Sequence, residues 1–150
     1  MNKFLIVFLL TALLGCGSKS SSKKKSSTPG LPETLALGTS TTAEVQQELG
    51  QPSNTYTIDN AEMQTFKDNK TLKFENNVAK ALFRNPEKDE IFLQYWLQKW
   101  KDKKTKDEPV EEKYATHGLP SYQLICVEEQ TTIIYDKETA VVKRVIYYEK

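Results

Sequence analysis

Thr41-Thr42-Ala43-Glu44-Val45-Gln46-Gln47-Glu48-Leu49-Gly50-Gln51-Pro52 states where a helix starts, which side of it is apolar and where it stops. Thr41 followed three residues on by Glu44 is a capping-box pattern, in which each side chain satisfies a backbone N–H that the first turn leaves without a partner. Val45 and Leu49 lie four apart on one face, and Gly50 with Pro52 just beyond ends the helix. The spacing predicts a short helix over 42–49. Runs with strand character follow at 55–58, 63–66, 71–74 and 78–83, broken by the turn-forming pairs Asp59-Asn60, Asp68-Asn69 and Asn76-Asn77. Leu72 and Phe74 alternate with Lys73 and Glu75, so one face of this meander is expected to be wet and the other to pack on the helix.

The C-terminal half carries a related set of signals. Asn85-Pro86-Glu87 is a helix start, with a capping side chain, a proline at the first helical position and an acid near the positive end of the dipole. Phe92, Leu93, Trp96, Leu97 and Trp100 fall at helical spacing and predict a helix over 86–103, with a solvated run at 101–106. A second short helix is expected over 110–114, closed by His117-Gly118-Leu119-Pro120. That turn with Ser121 echoes Leu49-Gly50-Gln51-Pro52-Ser53. Strands are expected at 122–127, 131–135 and 141–148, and Ile133-x-Tyr135 stands where Leu72-x-Phe74 stood. The pattern reads as a degenerate tandem repeat; one unit with a helical extension is the alternative.

The string Thr41-x-x-x-Val45-x-x-x-Leu49-Gly50-x-Pro52, an aromatic strand, then Leu72-x-Phe74-x-x-x-x-Val78, resembles the small outer-membrane lipoproteins of the barrel-assembly machinery, the SmpA/OmlA family. Gly38 replaces the Gly that usually directly precedes the Thr, and Phe66 stands for the Trp of the aromatic strand. The same helix and meander recur in tandem in the secreted β-lactamase inhibitor proteins. The resemblance implies an α+β fold of two tandem repeats, each of short helices followed by an antiparallel β-meander, over 34–84 and 85–150. Their sheets are expected to be packed or joined side by side.

Ahead of this domain, Met1-Asn2-Lys3 gives a short basic start and Phe4 to Leu14 an apolar run interrupted only by Thr11. The run is shorter than the roughly 20 residues that a membrane-spanning helix requires, so 1–15 reads as a cleaved signal segment. Leu13-Leu14-Gly15-Cys16 resembles the lipobox of bacterial lipoproteins. That resemblance implies a cut before Cys16, diacylation of its thiol and acylation of its new amino terminus. Two or three acyl chains hold a soluble domain at a bilayer, whereas one binds only marginally. Residues 16–33, rich in Ser and Lys, read as the lipidated Cys and a disordered tether, with Lys23-Lys24-Lys25 suited to anionic headgroups. Gly17, where an Asp would retain the protein at the inner membrane in an enterobacterium-like system, directs the expectation to the outer membrane, facing the periplasm. A Gram-positive host would place the same lipid in the cytoplasmic membrane.

The chain has 21 Lys+Arg against 20 Asp+Glu, and the part beyond the tether is slightly acidic, which argues against a nucleic-acid partner. With Cys16 acylated, Cys126 has no partner for a disulfide and reads as a small buried hydrophobe. His117 is the single histidine, so no metal set is expected around it. The carboxylates Asp107-Glu108, Glu111-Glu112 and Glu128-Glu129 read as solvated surface. No cofactor, metal or small-molecule substrate is expected, and nothing resembles an enzyme. The surplus is aromatic: Tyr122, Tyr135, Tyr147, Trp96 and Trp100 are the candidate partner-binding residues, since Tyr and Trp anchor desolvated contacts. The expected function is a lipid-anchored, non-enzymatic binding protein of the cell envelope, an accessory or scaffold subunit held to the membrane and to an envelope protein. The rival is an inhibitor of a periplasmic or foreign hydrolase.

Overall fold

A computed structural model describes residues 28–110 and 121–149. The helix α1, Thr42–Leu49, begins as the sequence requires: the Thr41 hydroxyl accepts from the Glu44 N–H at 3.3 Å, and the Glu44 carboxylate accepts from the Thr41 N–H at 2.8 Å. Gly50, with φ 84°, closes it. Four strands follow, β1 (Asn54–Ile58), β2 (Ala61–Thr65), β3 (Thr71–Glu75) and β4 (Val78–Arg84). All three turn pairs read from the sequence have both residues in the left-handed region, Asp59 and Asn60, Asp68 and Asn69, Asn76 and Asn77. Asn and Asp tolerate that conformation better than other non-glycine residues, and consecutive left-handed residues give the turn whose twist suits a two-residue hairpin.

A 3-10 turn (Lys88–Glu90) leads to α2 (Leu93–Lys99), then β5 (Thr105–Pro109), β6 (Ser121–Cys126), β7 (Thr131–Asp136) and β8 (Val142–Tyr148). The eight strands form a single antiparallel sheet in the order β1-β2-β3-β4-β8-β7-β6-β5. The architecture is therefore α+β, with the meanders joined side by side in one sheet rather than packed as two. The last strands of the two halves meet at a seam, where Phe83 pairs with Ile146 and Leu82 with Tyr147. Both helix starts are tied down alike: Ala79 N–H donates to Ser40 O and Thr42 N–H to Asn77 O, while Val142 N–H donates to Ile91 O and Leu93 N–H to Ala140 O.

Three sequence expectations are corrected. The long helix over 86–103 is only the seven residues of α2, preceded by the 3-10 turn. Phe92 at its N-cap is extended and bridged to Val141, which fixes the helix start there. The 101–106 run is largely exposed, as read, but it leads into a strand, because β5 pairs along its whole length with β6. The stretch Gly118-Leu119-Pro120, read as the echo of Gly50-Gln51-Pro52, lies outside the described residues. Leu31, within the 16–33 stretch read as a disordered tether, packs on the core. The expected helix over 110–114 lies outside the described residues from 111 onward, as do Cys16, His117, Glu111 and Glu112; Val110 itself is coil, its N–H bonded to Ser121 O.

Every pair in register shares a face, so the sheet can be read row by row. On one face Leu72, Leu82, Tyr147 and Cys126 lie in a row, with Phe74, Val145, Ile133 and Leu124 beside them. This face is covered by α1, α2 and the segment from Leu31 to Leu37, which bury Val45, Trp96, Trp100 and Leu35 against it.

Candidate binding surface

The opposite face has its own edge-to-edge row: Asn54, Thr65, Thr71, Phe83, Ile146, Thr132, Ile125, Lys106. Beside it run Tyr56, Met63, Lys73, Ala81 and Tyr148 on one flank, and Arg144, Ile134, Gln123 and Glu108 on the other. None of these residues belongs to the cluster that the helices cover, although Met63, Thr71, Ala81, Thr132 and Ile146 are themselves buried. Tyr56 and Tyr148 are 40% and 44% exposed, and Phe83, Ile134 and Ile125 are half-buried. At one end of the face lies a cavity of about 620 Å³, lined by Asn54, Tyr56, Thr65, Asn69, Thr71, Asn85 and Arg144. Within it the Thr65 and Thr71 hydroxyls bond each other at 3.0 Å. The lining is hydroxyl, amide and one cation, with a single aromatic ring and no acid.

The five aromatic residues singled out by sequence lie elsewhere. Tyr122 pairs with Tyr135 in register, and Tyr147 shares their face, as the alternation implied; that face is the covered one. Trp96, Trp100, Tyr135 and Tyr147 are buried and are not surface anchors. Tyr122 is half-buried, with the Lys137 ammonium 4.0 Å from its ring centre. Strand periodicity sorts residues into two sets without saying which set the helices cover, so it points to Tyr147 as readily as to its neighbour Tyr148, which is the exposed one. Tyr56 carried a signal too, since it stands in a strand without a charged residue.

The covered aromatics build polar contacts inside the domain. The Arg84 guanidinium donates to both Glu90 carboxylate oxygens, at 2.6 and 2.8 Å, and to the Tyr147 hydroxyl at 2.7 Å. The Trp96 indole N–H donates to the Glu90 backbone carbonyl at 2.9 Å. Burial pushes Glu90 upward, but the Arg84 guanidinium and the Glu87 N–H outweigh it and hold the carboxyl below its ordinary range. Cys126 is a free, fully buried thiol, and burial pushes its pKa up, as expected for an inert packing residue. Among the described residues no three metal-ligating side chains are gathered.

Tyr135 donates its hydroxyl to both oxygens of Asp107, at 2.9 and 3.0 Å, stitching β7 across β6 to β5. Burial, then this bond and the Asp107 charge, push its pKa up to about 12. The folded value lies above the roughly 10 of a free tyrosine. The stabilisation is therefore complete below pH 10 and is lost as pH rises through about 12. Wild type is expected to lose more of its urea midpoint between pH 8 and pH 11 than Tyr135→Phe does, by fluorescence-monitored unfolding. Equal losses would remove Tyr135 from the alkaline transition.

Compared with protein-family models, with curated proteins and with solved structures, the chain matches none.

Proposed function

We propose that this chain is a lipid-anchored, non-enzymatic binding protein of the cell envelope, an accessory or scaffold subunit whose contact surface is the uncovered face of the sheet. The observation that carries the reading is a broad eight-strand face on which Tyr56 and Tyr148 are exposed and Phe83 and Ile134 half-buried, with both described α-helices on the other side. Aromatic and aliphatic side chains on an uncovered sheet face suit a protein partner. Leu13-Leu14-Gly15-Cys16 supports the anchor, through Cys16, and an outer-membrane location facing the periplasm.

The two halves are read as a degenerate duplication of one helix-plus-meander unit. Supporting this, Thr41 at the start of α1 bridges Val78, and Phe92 at the start of α2 bridges Val141. Val45 and Trp96, each four residues beyond those positions, are both fully buried. A shared sheet spanning both units also favours the second reading, an inhibitor that covers the active site of a periplasmic or foreign hydrolase, as its resemblance to the β-lactamase inhibitor proteins suggests.

Affinity capture from detergent-solubilised envelopes separates these readings. Wild type is expected to capture an integral outer-membrane or secretion component, and Cys16→Ser to lose it. Tyr56→Ala with Tyr148→Ala is expected to weaken capture at least tenfold while leaving the circular dichroism unchanged. Stoichiometric capture of a soluble hydrolase, independent of Cys16, would replace the scaffold reading with the inhibitor.

A further inference from the structure

β1 and β5 are the two edges of the sheet. An edge strand presents unpaired backbone N–H and C=O groups, and proteins protect such edges with charge and proline. β5 is protected in this way: Lys106, Asp107 and Glu108 are charged, and Pro109 has no N–H to donate. β1 is not. Asn54-Thr55-Tyr56-Thr57-Ile58 contains no charge and no proline, and all five residues are exposed. Its composition is that of a good strand former, with two threonines, an isoleucine and a tyrosine.

We infer that β1 is a dimerisation edge, which pairs antiparallel with the same strand of a second copy about a two-fold axis at Tyr56. In that register Thr55 lies opposite Thr57 of the partner subunit, and Asn54 opposite Ile58 of the partner subunit. Threonine pairs across antiparallel strands are favourable, whereas like charges brought together there repel. About a two-fold axis the central residue meets its own copy: centred on β5 that would set Asp107 against a second Asp107, with Pro109 unable to donate, whereas β1 brings only the uncharged Tyr56 to the axis. The net charge of the chain, +1, adds little repulsion between copies. Tyr56 and Asn54 also line the open-face cavity, so pairing sets two cavities side by side on one continuous sheet. A five-residue strand contributes less than the ~1,000 Å² of a stable interface, which makes the dimer weak and concentration-dependent.

The test is sedimentation of the full chain in excess detergent, with photo-oxidative tyrosine cross-linking and peptide mass spectrometry. The mass is expected to rise from one copy towards two with concentration, and the linked product to be Tyr56 joined to Tyr56 of the partner subunit. Thr55→Lys with Thr57→Lys is expected to abolish both while preserving the circular dichroism. A mass of one copy at all concentrations up to about 1 mM overturns the proposal. So does a dimer that survives the double lysine variant, or one whose cross-link lies between other tyrosines.

Discussion

Replacing Glu90 by alanine is expected to cost the fold about 3–5 kcal/mol, read as a fall in the urea midpoint, because it strands a buried guanidinium. The Arg84 and Glu90 side chains are 5% and 10% exposed. The Glu90 carboxylate accepts from Arg84 Nη1 and Nη2 and from the Glu87 N–H at 2.9 Å. Without it, Arg84 keeps the Asn85 carbonyl and the Tyr147 hydroxyl, while its Nε has no partner among the described residues even now. Gly30 passes so close that a side chain there would meet Arg84 Cδ at 3.0 Å, which leaves the guanidinium little room to turn towards water. Against a total of about 5–15 kcal/mol for an ordinary domain, the loss is a large share.

The pair stabilises through complementarity rather than through charge as such. Arg84→Met combined with Glu90→Leu is therefore expected to recover most of the midpoint, since no unpaired charge is left behind. The pH dependence has a definite sign. Glu90 titrates lower in the folded chain than the roughly 4.3 of a free glutamate, so its contribution is complete above that value and disappears as pH falls below it. Wild type should lose stability from neutral pH towards pH 3 more steeply than the Met/Leu double variant. Parallel acid curves would show that other carboxylates control the acid limb.

What was legible in the sequence follows from how local the cause is. Thr41, Glu44 and Gly50 fix the ends of α1 by contacts within a single turn, and the Asn and Asp pairs fix their hairpins through their own dihedrals. Nothing local marks β5. Thr105-Lys106-Asp107-Glu108-Pro109 looks like a solvated run because what holds it in the sheet among the described residues, β6 and the Tyr135 hydroxyl, is distant in sequence. The overlong second helix has the same origin. Its apolar spacing is real, but Glu90 is drawn to Arg84 and Phe92 is held to Val141, and these tertiary contacts delay the helix until Leu93. The burial of the candidate aromatic anchors has a related cause. Tyr135 and Tyr147 do share a face, but which face the helices cover depends on the register of all eight strands.

Trp96→Ala is expected to match the Glu90 variant in severity, about 3–5 kcal/mol. Its ring is fully buried, 4.9 Å from that of Trp100, and the Lys99 ammonium lies 4.7 Å from its centre. α2 is only seven residues long and too short to be stable without the face it buries. Conservative changes separate packing from hydrogen bonding. Trp96→Phe keeps an aromatic ring but removes the donor to the Glu90 carbonyl, a loss of about 1–3 kcal/mol where that carbonyl stays buried. Trp100 is equally enclosed, yet its indole N–H has no partner among the described residues. Trp100→Phe therefore removes a cost along with the contact, and its urea midpoint should fall less than that of Trp96→Phe. Because the Trp96 bond ends on the residue that holds Arg84, Trp96→Phe and Glu90→Ala should also be non-additive in a double-mutant cycle. Equal losses from the two tryptophan variants, with full additivity against Glu90→Ala, would mean that ring volume alone secures α2 and that the bond to Glu90 contributes nothing.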